Sequence, residues 1–236
     1  MKDLTFISQT EHRPFSTPNH KWLFYQEWLD VHFLHWKVEE KELRTYLPEQ
    51  LDIDTLNGQA WVSFVAFTMK DVKLRYLPKP GCATTFLELN LRTYVRYNGL
   101  PGVYFLNIEA GRKDSSVIAQ SISGLPYRYA KMKRTSSKFK SQRFSTGDSF
   151  QLKAIKSELV QRTTTTDFLS ERYKVFNTKG NSVVEFDVHH VEWLLYKLDV
   201  ESLKIEYPRF ENLLNDSPDL AYYSPGVPVV AWNKNV

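Results

Sequence analysis

The sequence predicts a mainly β fold, a β-rich chain of antiparallel strands in a barrel or sandwich with two or three short helices. Three observations carry that expectation. Short apolar runs alternate with polar residues at a period of two, turn signals built on Gly, Pro and Asn separate them, and long helical periodicity is missing. The 236 residues, 42% hydrophobic and 14% aromatic, can build a core, and all-β barrels of this length are commonly one domain. We therefore expect a single domain over 1–236, with residues 1–20, polar and carrying Pro14 and Pro18, as an extended N-terminal arm.

The elements follow in chain order. Trp22 to Trp28 mixes large apolar and polar residues and fits either a short helix or a strand; Val31 to Val38 reads as a strand. Glu39 to Tyr46 reads as a short helix, because Glu39, Glu40 and Glu42 suit the positive N-terminal end of the dipole and Pro48 ends it. Leu51 to Asp54 alternates as a short strand, Asn57-Gly58 is a hairpin turn, and Ala60 to Met69 is an apolar strand. Leu77 to Gly81 is a loop leading into a strand over 86–95. Tyr97 to Gly102 reads as a turn and Val103 to Ala110 as the strand pairing back. Ser115 to Ile122 has small and apolar residues at helical spacing, stopped by Gly124 and Pro126. Strands are then expected at Tyr127–Met132, Phe144–Phe150 with a break at Thr146-Gly147-Asp148, Lys153–Arg162, Tyr173–Asn177 and Val183–His190. Thr166-Asp167 is placed to cap a helical turn, Glu201–Lys204 reads as a short helix, and Ser224-Pro225-Gly226 as a turn before a last strand, Val227–Trp232.

Composition narrows the function classes. One cysteine, Cys82, rules out a disulfide framework or a thiolate zinc cluster within one chain. The N-terminal residues hold no apolar h-region, and no run approaches the roughly 18 apolar residues of a membrane span. A cytoplasmic protein without membrane association is the expectation. The net charge is +4, and between Arg128 and Arg143 seven Lys and Arg residues occur with no acid. Such a run can touch phosphate, but it matches no nucleic-acid motif and is commonly a solvated hairpin, so nucleic-acid binding is not expected. His32-x-x-His35 lies in strand sequence, where a spacing of three points to opposite faces, and His189-His190 diverge for the same reason. We expect no metal and no cofactor. His190 continues an inward row of Val184, Phe186 and Val188, which favours a buried, hydrogen-bonded histidine. The chain has no glycine-rich phosphate loop, no Gly-x-Ser-x-Gly elbow, and no histidine partner for Cys82.

The most informative stretch is Phe86 to Val95. Leu87, Leu89, Leu91, Thr93 and Val95 share one strand face, and Glu88, Asn90, Arg92 and Tyr94 the other. Same-face neighbours lie about 6.5–7 Å apart, within reach of long side chains. Periodicity leaves two readings open: a solvated outer face, or the lining of a polar cavity in which Glu88 and Arg92 share charge.

A set of stretches then resembles a known family. They include Phe33-Leu34-His35-Trp36, Leu43-x-x-x-Leu47-Pro48-x-x-Leu51-x-x-Asp54, Gly58-x-Ala60-Trp61-Val62 and Glu88-x-Asn90-x-Arg92-Thr93-Tyr94-Val95. In the same order follow Gly99-x-Pro101-Gly102-Val103-Tyr104-Phe105, Gly124-Leu125-Pro126-Tyr127, Phe168-Leu169-x-Glu171-Arg172-Tyr173, Val188-His189-His190-x-x-Trp193 and Tyr223-Ser224-x-Gly226-Val227-x-Val229. Together they resemble the YqjF-like family of the acetoacetate decarboxylase-like superfamily. The resemblance implies an antiparallel, closed or partly closed barrel around a central pocket. The resemblance implies that the superfamily's founding enzyme forms a Schiff base on one lysine of an adjacent pair that follows a proline, the other lysine lowering its pKa. Here the matching stretch is Leu125-Pro126-Tyr127-Arg128, so both lysines are missing. Neither a phenol nor a delocalised guanidinium forms an imine. Glu88 matches the pocket carboxylate in an aromatic-x-Glu pattern. The resemblance thus implies the pocket and argues against the founding reaction. The expected site has Glu88 and Tyr127 as catalytic residues, with Asn90, Arg92, Tyr94, Tyr104, Arg128 and His190 binding a small, carboxylate-bearing ligand. The alternative is a non-catalytic ligand-binding or sensor module with the same pocket. Homo-oligomerisation stays open.

Overall fold

The computed structural model describes residues 4–76, 85–116, 120, 124–214 and 217–232. Among the described residues thirteen strands form one mostly antiparallel sheet, and seven of them return on themselves. The ring runs β1 (Phe24–Val38), β3 (Ala60–Leu74), β4 (Phe86–Tyr97), β5 (Leu100–Ala110), β10 (Lys174–Lys179), β11 (Ser182–His190) and β13 (Leu220–Ala231), and β13 pairs again with β1. Only the β5–β10 step of the ring is parallel. The two-residue β2 (Asp52–Ile53) pairs with β4, and the short β6 (Tyr127–Tyr129) pairs with β5. From β13 the sheet continues outward as a wing: β12 (Tyr196–Glu206), β9 (Asp148–Leu159), β8 (Lys138–Arg143) and β7 (Lys131–Arg134).

Strands β1 and β3 carry apolar residues on both faces and β4 carries them along its outer face, so the ring wall is buried on both sides. Inside the ring, Val31, Phe33, Trp61, Val65, Phe67, Val103, Ile108, Val175, Val188, Val227 and Val229 make one cluster. Outside it, Leu34, Val62, Phe64, Leu89 and Leu91 pack against Phe139, Phe150, Leu152 and Leu198 of the wing. The helix expected over Glu39–Tyr46 forms at Glu40–Arg44; its Leu43, with Leu47 just beyond it, closes this outer core. The N-terminal arm is tied down rather than free. It makes a 3₁₀ turn at Thr5–Ser8 and buries Phe6 with Trp22, Tyr25, Val230 and Trp232 at one end of the ring.

Several expected elements take another form, each for a local reason. The Trp22–Trp28 stretch is strand from Phe24. Leu100, Pro101 and Gly102 belong to β5, because Asn98 and Gly99, with φ of 49° and 77°, complete a two-residue turn on their own. Tyr127–Met132 breaks at Ala130 into two strands with different partners. Phe144–Gly147 is turn, and the strand starts at Asp148. In the basic stretch Lys138–Arg143 is a strand, with Phe139 and Ser141 buried and Lys138 and Lys140 exposed; like charges made its alternation hard to see. The helix at Thr164–Ser170 begins two residues before Thr166, and Thr163 caps it. Residues 113–116 are helical, whereas most of the Ser115–Ile122 helix and the Leu77–Gly81 loop lie outside the described residues.

Two corrections involve bulges. Glu201–Lys204 is strand, not helix. A register shift between Val200 and Ser202 inserts a residue, so Val200 and Leu203 stand three apart and mimic helical spacing. Ser224-Pro225-Gly226 is not a turn between elements but the middle of β13. Leu29 pairs with Gly226 and Val31 with Ser224, which leaves Pro225 facing Asp30 at a kink where Asp30 has φ 51°. Proline has no N–H to waste there. Gly226 has φ 121°, and a Cβ on it would sit 2.1 Å from the Trp28 carbonyl oxygen, so only glycine fits.

Candidate functional site

The polar row of β4 points into the ring. Its register sets Glu88 beside Phe67 and Ala110, Asn90 beside Val65 and Ile108, and Arg92 beside Ser63 and Phe105. Glu88 is 2% exposed and Asn90 4%. One oxygen of Glu88 accepts from Asn90 Nδ2 at 3.1 Å and the other from the Tyr127 hydroxyl at 3.0 Å. Tyr127 reaches it because β6 runs alongside β5, with Tyr127 level with Ile108. Burial pushes the Glu88 carboxyl up to about 7, although its two hydrogen bonds oppose the shift. Burial and the Glu88 charge hold the Tyr127 phenol well above its usual range. This pair is a buried carboxyl, raised toward neutrality by burial, and a neutral hydroxyl that donates to it.

Farther along the row the groups converge on one carbonyl. Leu169, in the last turn of the Thr164–Ser170 helix, has a carbonyl without an intrahelical partner. It accepts from the Tyr94 hydroxyl at 2.9 Å and from Arg92 Nη2 at 3.0 Å. Arg172, just past the helix, holds that end in place. It donates to the Phe168 carbonyl at 2.6 Å and pairs with Asp54 at 2.6 Å, and its guanidinium lies over the rings of Phe168 and Tyr94. Behind Tyr94, Ser63 Oγ is 2.7 Å from its hydroxyl and 2.6 Å from His35 Nδ1.

The structure therefore brings Glu88, Asn90 and Tyr127 together, and Arg92 and Tyr94 together on the same inner face. It separates the other three. Tyr104 is on the outer face of β5, packed against the outer core and bonded to Thr178. Arg128, next to Tyr127, turns the opposite way and is exposed. His190 does point inward, but at the end closed by the arm. Its Nδ1–H donates to the Val191 carbonyl at 2.7 Å, its ring packs on Tyr173 and Trp193, and burial lowers its pKa to about 3. Trp28, which touches both His190 and Phe67, stands between it and the neighbourhood of Glu88. Sequence reasoning missed His35 and Ser63. Ser63 is a lone hydroxyl in the inward series Trp61, Val65, Phe67, and His35 follows Val31 and Phe33 on the inner face of β1; a polar side chain in an otherwise apolar inward row was the available signal.

Known proteins share this frame. The model of a family described as an uncharacterized conserved protein, DUF2071, matches residues 25–228. The chain belongs to the DUF2071 family. The uncharacterized protein YqjF of Bacillus subtilis (strain 168) is 34% identical over 227 residues, covering 92% of this chain and 93% of YqjF. Among solved structures, acetoacetate decarboxylase from Legionella pneumophila superposes with a TM-score of 0.64 at 15% identity, covering 96% of this chain and 95% of that one. The enduracididine biosynthesis enzyme MppR complexed with pyruvate gives 0.62 at 10% identity, covering 97% and 93%. At such identities the likeness is one of fold, and this DUF2071 chain has the acetoacetate decarboxylase-like fold.

Proposed function

We propose that the strand ring is a binding chamber for a small carboxylate-bearing molecule, and that Glu88 and Tyr127 exchange a proton with it. One observation carries this reading. Eight buried side-chain N or O atoms among the described residues lack a hydrogen-bond partner, and six belong to residues facing the ring interior: Trp28, His35, Trp61, Asn90, Arg92 and Trp193. An unpaired buried polar group costs about 1–3 kcal/mol. Gathered in one interior, such groups fit a polar ligand.

The carboxylate is assigned to Arg92. Its Nε–H is unpaired, and among the described residues no acid lies within ion-pair distance of it. Glu88, poised near neutrality, takes or returns a proton as general base or acid, and Tyr127 donates to an oxygen that gains charge. The pyruvate held by MppR, a protein of the same fold, supports a ligand of this size. Imine chemistry is not part of the proposal, since Tyr127 and Arg128 stand where the resemblance puts the lysine pair.

Thermal unfolding with pyruvate, lactate or acetoacetate tests the reading. A ligand at one hundred times its Kd stabilises by about 2.7 kcal/mol. At least one of these acids is expected to raise the Tm of the wild type, and Arg92→Met to remove that rise. Borohydride added with acetoacetate is expected to leave no mass shift on any lysine. No rise with any carboxylate, or an equal rise in Arg92→Met, overturns the proposal.

A further inference from the structure

His35 has no role in the acid–base pair described above, yet it is the most deeply buried histidine on the ring's inner face, with no exposed surface. Counting protons fixes its tautomer. The Tyr94 hydroxyl spends its proton on the Leu169 carbonyl at 2.9 Å. The oxygen of Tyr94 therefore receives the proton of Ser63 across the 2.7 Å contact. Ser63 then has none left for the 2.6 Å contact to His35 Nδ1, so that nitrogen must itself carry hydrogen and donate. A relay runs His35 to Ser63 to Tyr94 to the end of the Thr164–Ser170 helix. At its far end His35 Nε2 is left as a bare lone pair, buried and without a partner. Burial, reinforced by the nearby Arg92 charge, keeps the imidazole neutral by holding its pKa well below 6.5.

Arg92 supplies the complementary group. His35 and Ser63 are level across β1 and β3, and Ser63 and Arg92 are level across β3 and β4. Both His35 and Arg92 lean on the Phe33 ring, at 6.1 Å and 5.8 Å. The inner face thus shows an unpaired cationic donor, Arg92 Nε–H, beside an unpaired neutral acceptor, His35 Nε2. A carboxylate satisfies the first. The second needs a donor on the same molecule. An ammonium would bring a second cation beside Arg92, in a region where burial already disfavours charge. A hydroxyl carries the needed proton without charge.

We propose that His35 is a ligand-binding residue whose Nε2 accepts the hydroxyl proton of a 2-hydroxy carboxylate held by Arg92, so that the chamber selects hydroxy acids over the matching 2-oxo acids. This inference rests on the binding reading above and adds the substrate class. A 2-oxo acid such as pyruvate offers two acceptors and leaves Nε2 unpaired. One neutral hydrogen bond amounts to about a tenfold preference.

The test uses ¹⁵N-histidine NMR on the full chain, read first without ligand. His35 is expected to show a protonated Nδ1 and an unprotonated Nε2; a protonated Nε2 overturns the proposal, and this reading needs no variant. Lactate is then expected to shift the Nε2 resonance toward a hydrogen-bonded value and to bind about tenfold tighter than pyruvate, with the preference lost in His35→Phe. If lactate raises the Tm but leaves Nε2 unmoved, the role of His35 is overturned and the binding chamber stands. If no carboxylate raises the Tm, both readings fall. Ser63→Ala, which cuts the relay without touching the proposed ligand contacts, is expected to let both tautomers appear and to shrink the preference; a preference unchanged in both Ser63→Ala and His35→Phe also overturns it.

Discussion

Asp54→Ala is expected to destabilise the protein by about 3–5 kcal/mol, the typical loss when one partner of a buried ion pair is removed. Arg172 is 7% exposed and Asp54 8%, and they meet at 2.6 Å. Without Asp54 the guanidinium stays buried over Phe168 and Tyr94 with its charge uncompensated. The loss also reaches the candidate site, because the same arginine anchors the helix end whose Leu169 carbonyl accepts hydrogen bonds from Tyr94 and Arg92. Glu201→Ala is the control. Its partner Lys153 is 45% exposed, and a surface pair of this kind contributes about 0–1 kcal/mol. Urea denaturation of both variants checks the contrast. Equal losses would mean that the Asp54–Arg172 pair holds nothing in particular.

Glu88→Gln is expected to become progressively more stable than the wild type as pH rises, with the gap opening between about pH 4.5 and 7. The sign follows from the raised carboxyl. Below about 4.5 the side chain is protonated in both folded and unfolded chains, and burial costs no charge. Between 4.5 and about 7 the unfolded chain releases the proton while the folded chain keeps it, so unfolding gains. Above about 7 the full penalty applies. An interval of that width, at about 1.4 kcal/mol per pH unit, corresponds to about 3–4 kcal/mol. Glutamine resembles the protonated form and escapes the penalty. Glu109 and Glu171 are also raised by burial, but both proteins contain them, so the difference between the two isolates Glu88. Stability curves at pH 4.5 and pH 8 decide it. A gap that stays constant, or that favours the wild type at pH 8, contradicts the placement of Glu88.

Much of the fold was legible because strand alternation survives wherever one or both faces are buried. The β4 row is the clearest case: Leu87, Leu89 and Leu91 pack outward on the wing, and Glu88, Asn90, Arg92 and Tyr94 face inward. Periodicity alone did not choose between water and interior for that polar side; the ring closure through β13 and β1 does. Legibility failed where a bulge shifted the count, as at Val200–Ser202 and at Asp30 opposite Pro225. It failed again where pairing decides which face a residue takes. Tyr104 and Arg128 stand next to inward-facing Val103 and Tyr127, and a neighbour in a strand points the other way. His35 and Ser63 were hidden for another reason: their significance lies in meeting Tyr94 across three strands, which no local window contains.

The central claim is that the ring interior takes a small carboxylate at Arg92, within reach of the Glu88–Tyr127 pair. A crystal structure grown with lactate or pyruvate tests it most directly. Density for the acid is expected inside the ring, with its carboxylate on Arg92 and, for lactate, its hydroxyl turned toward His35. Density found only outside the strand ring, or an interior filled by protein side chains alone while the acid still binds in solution, would contradict it.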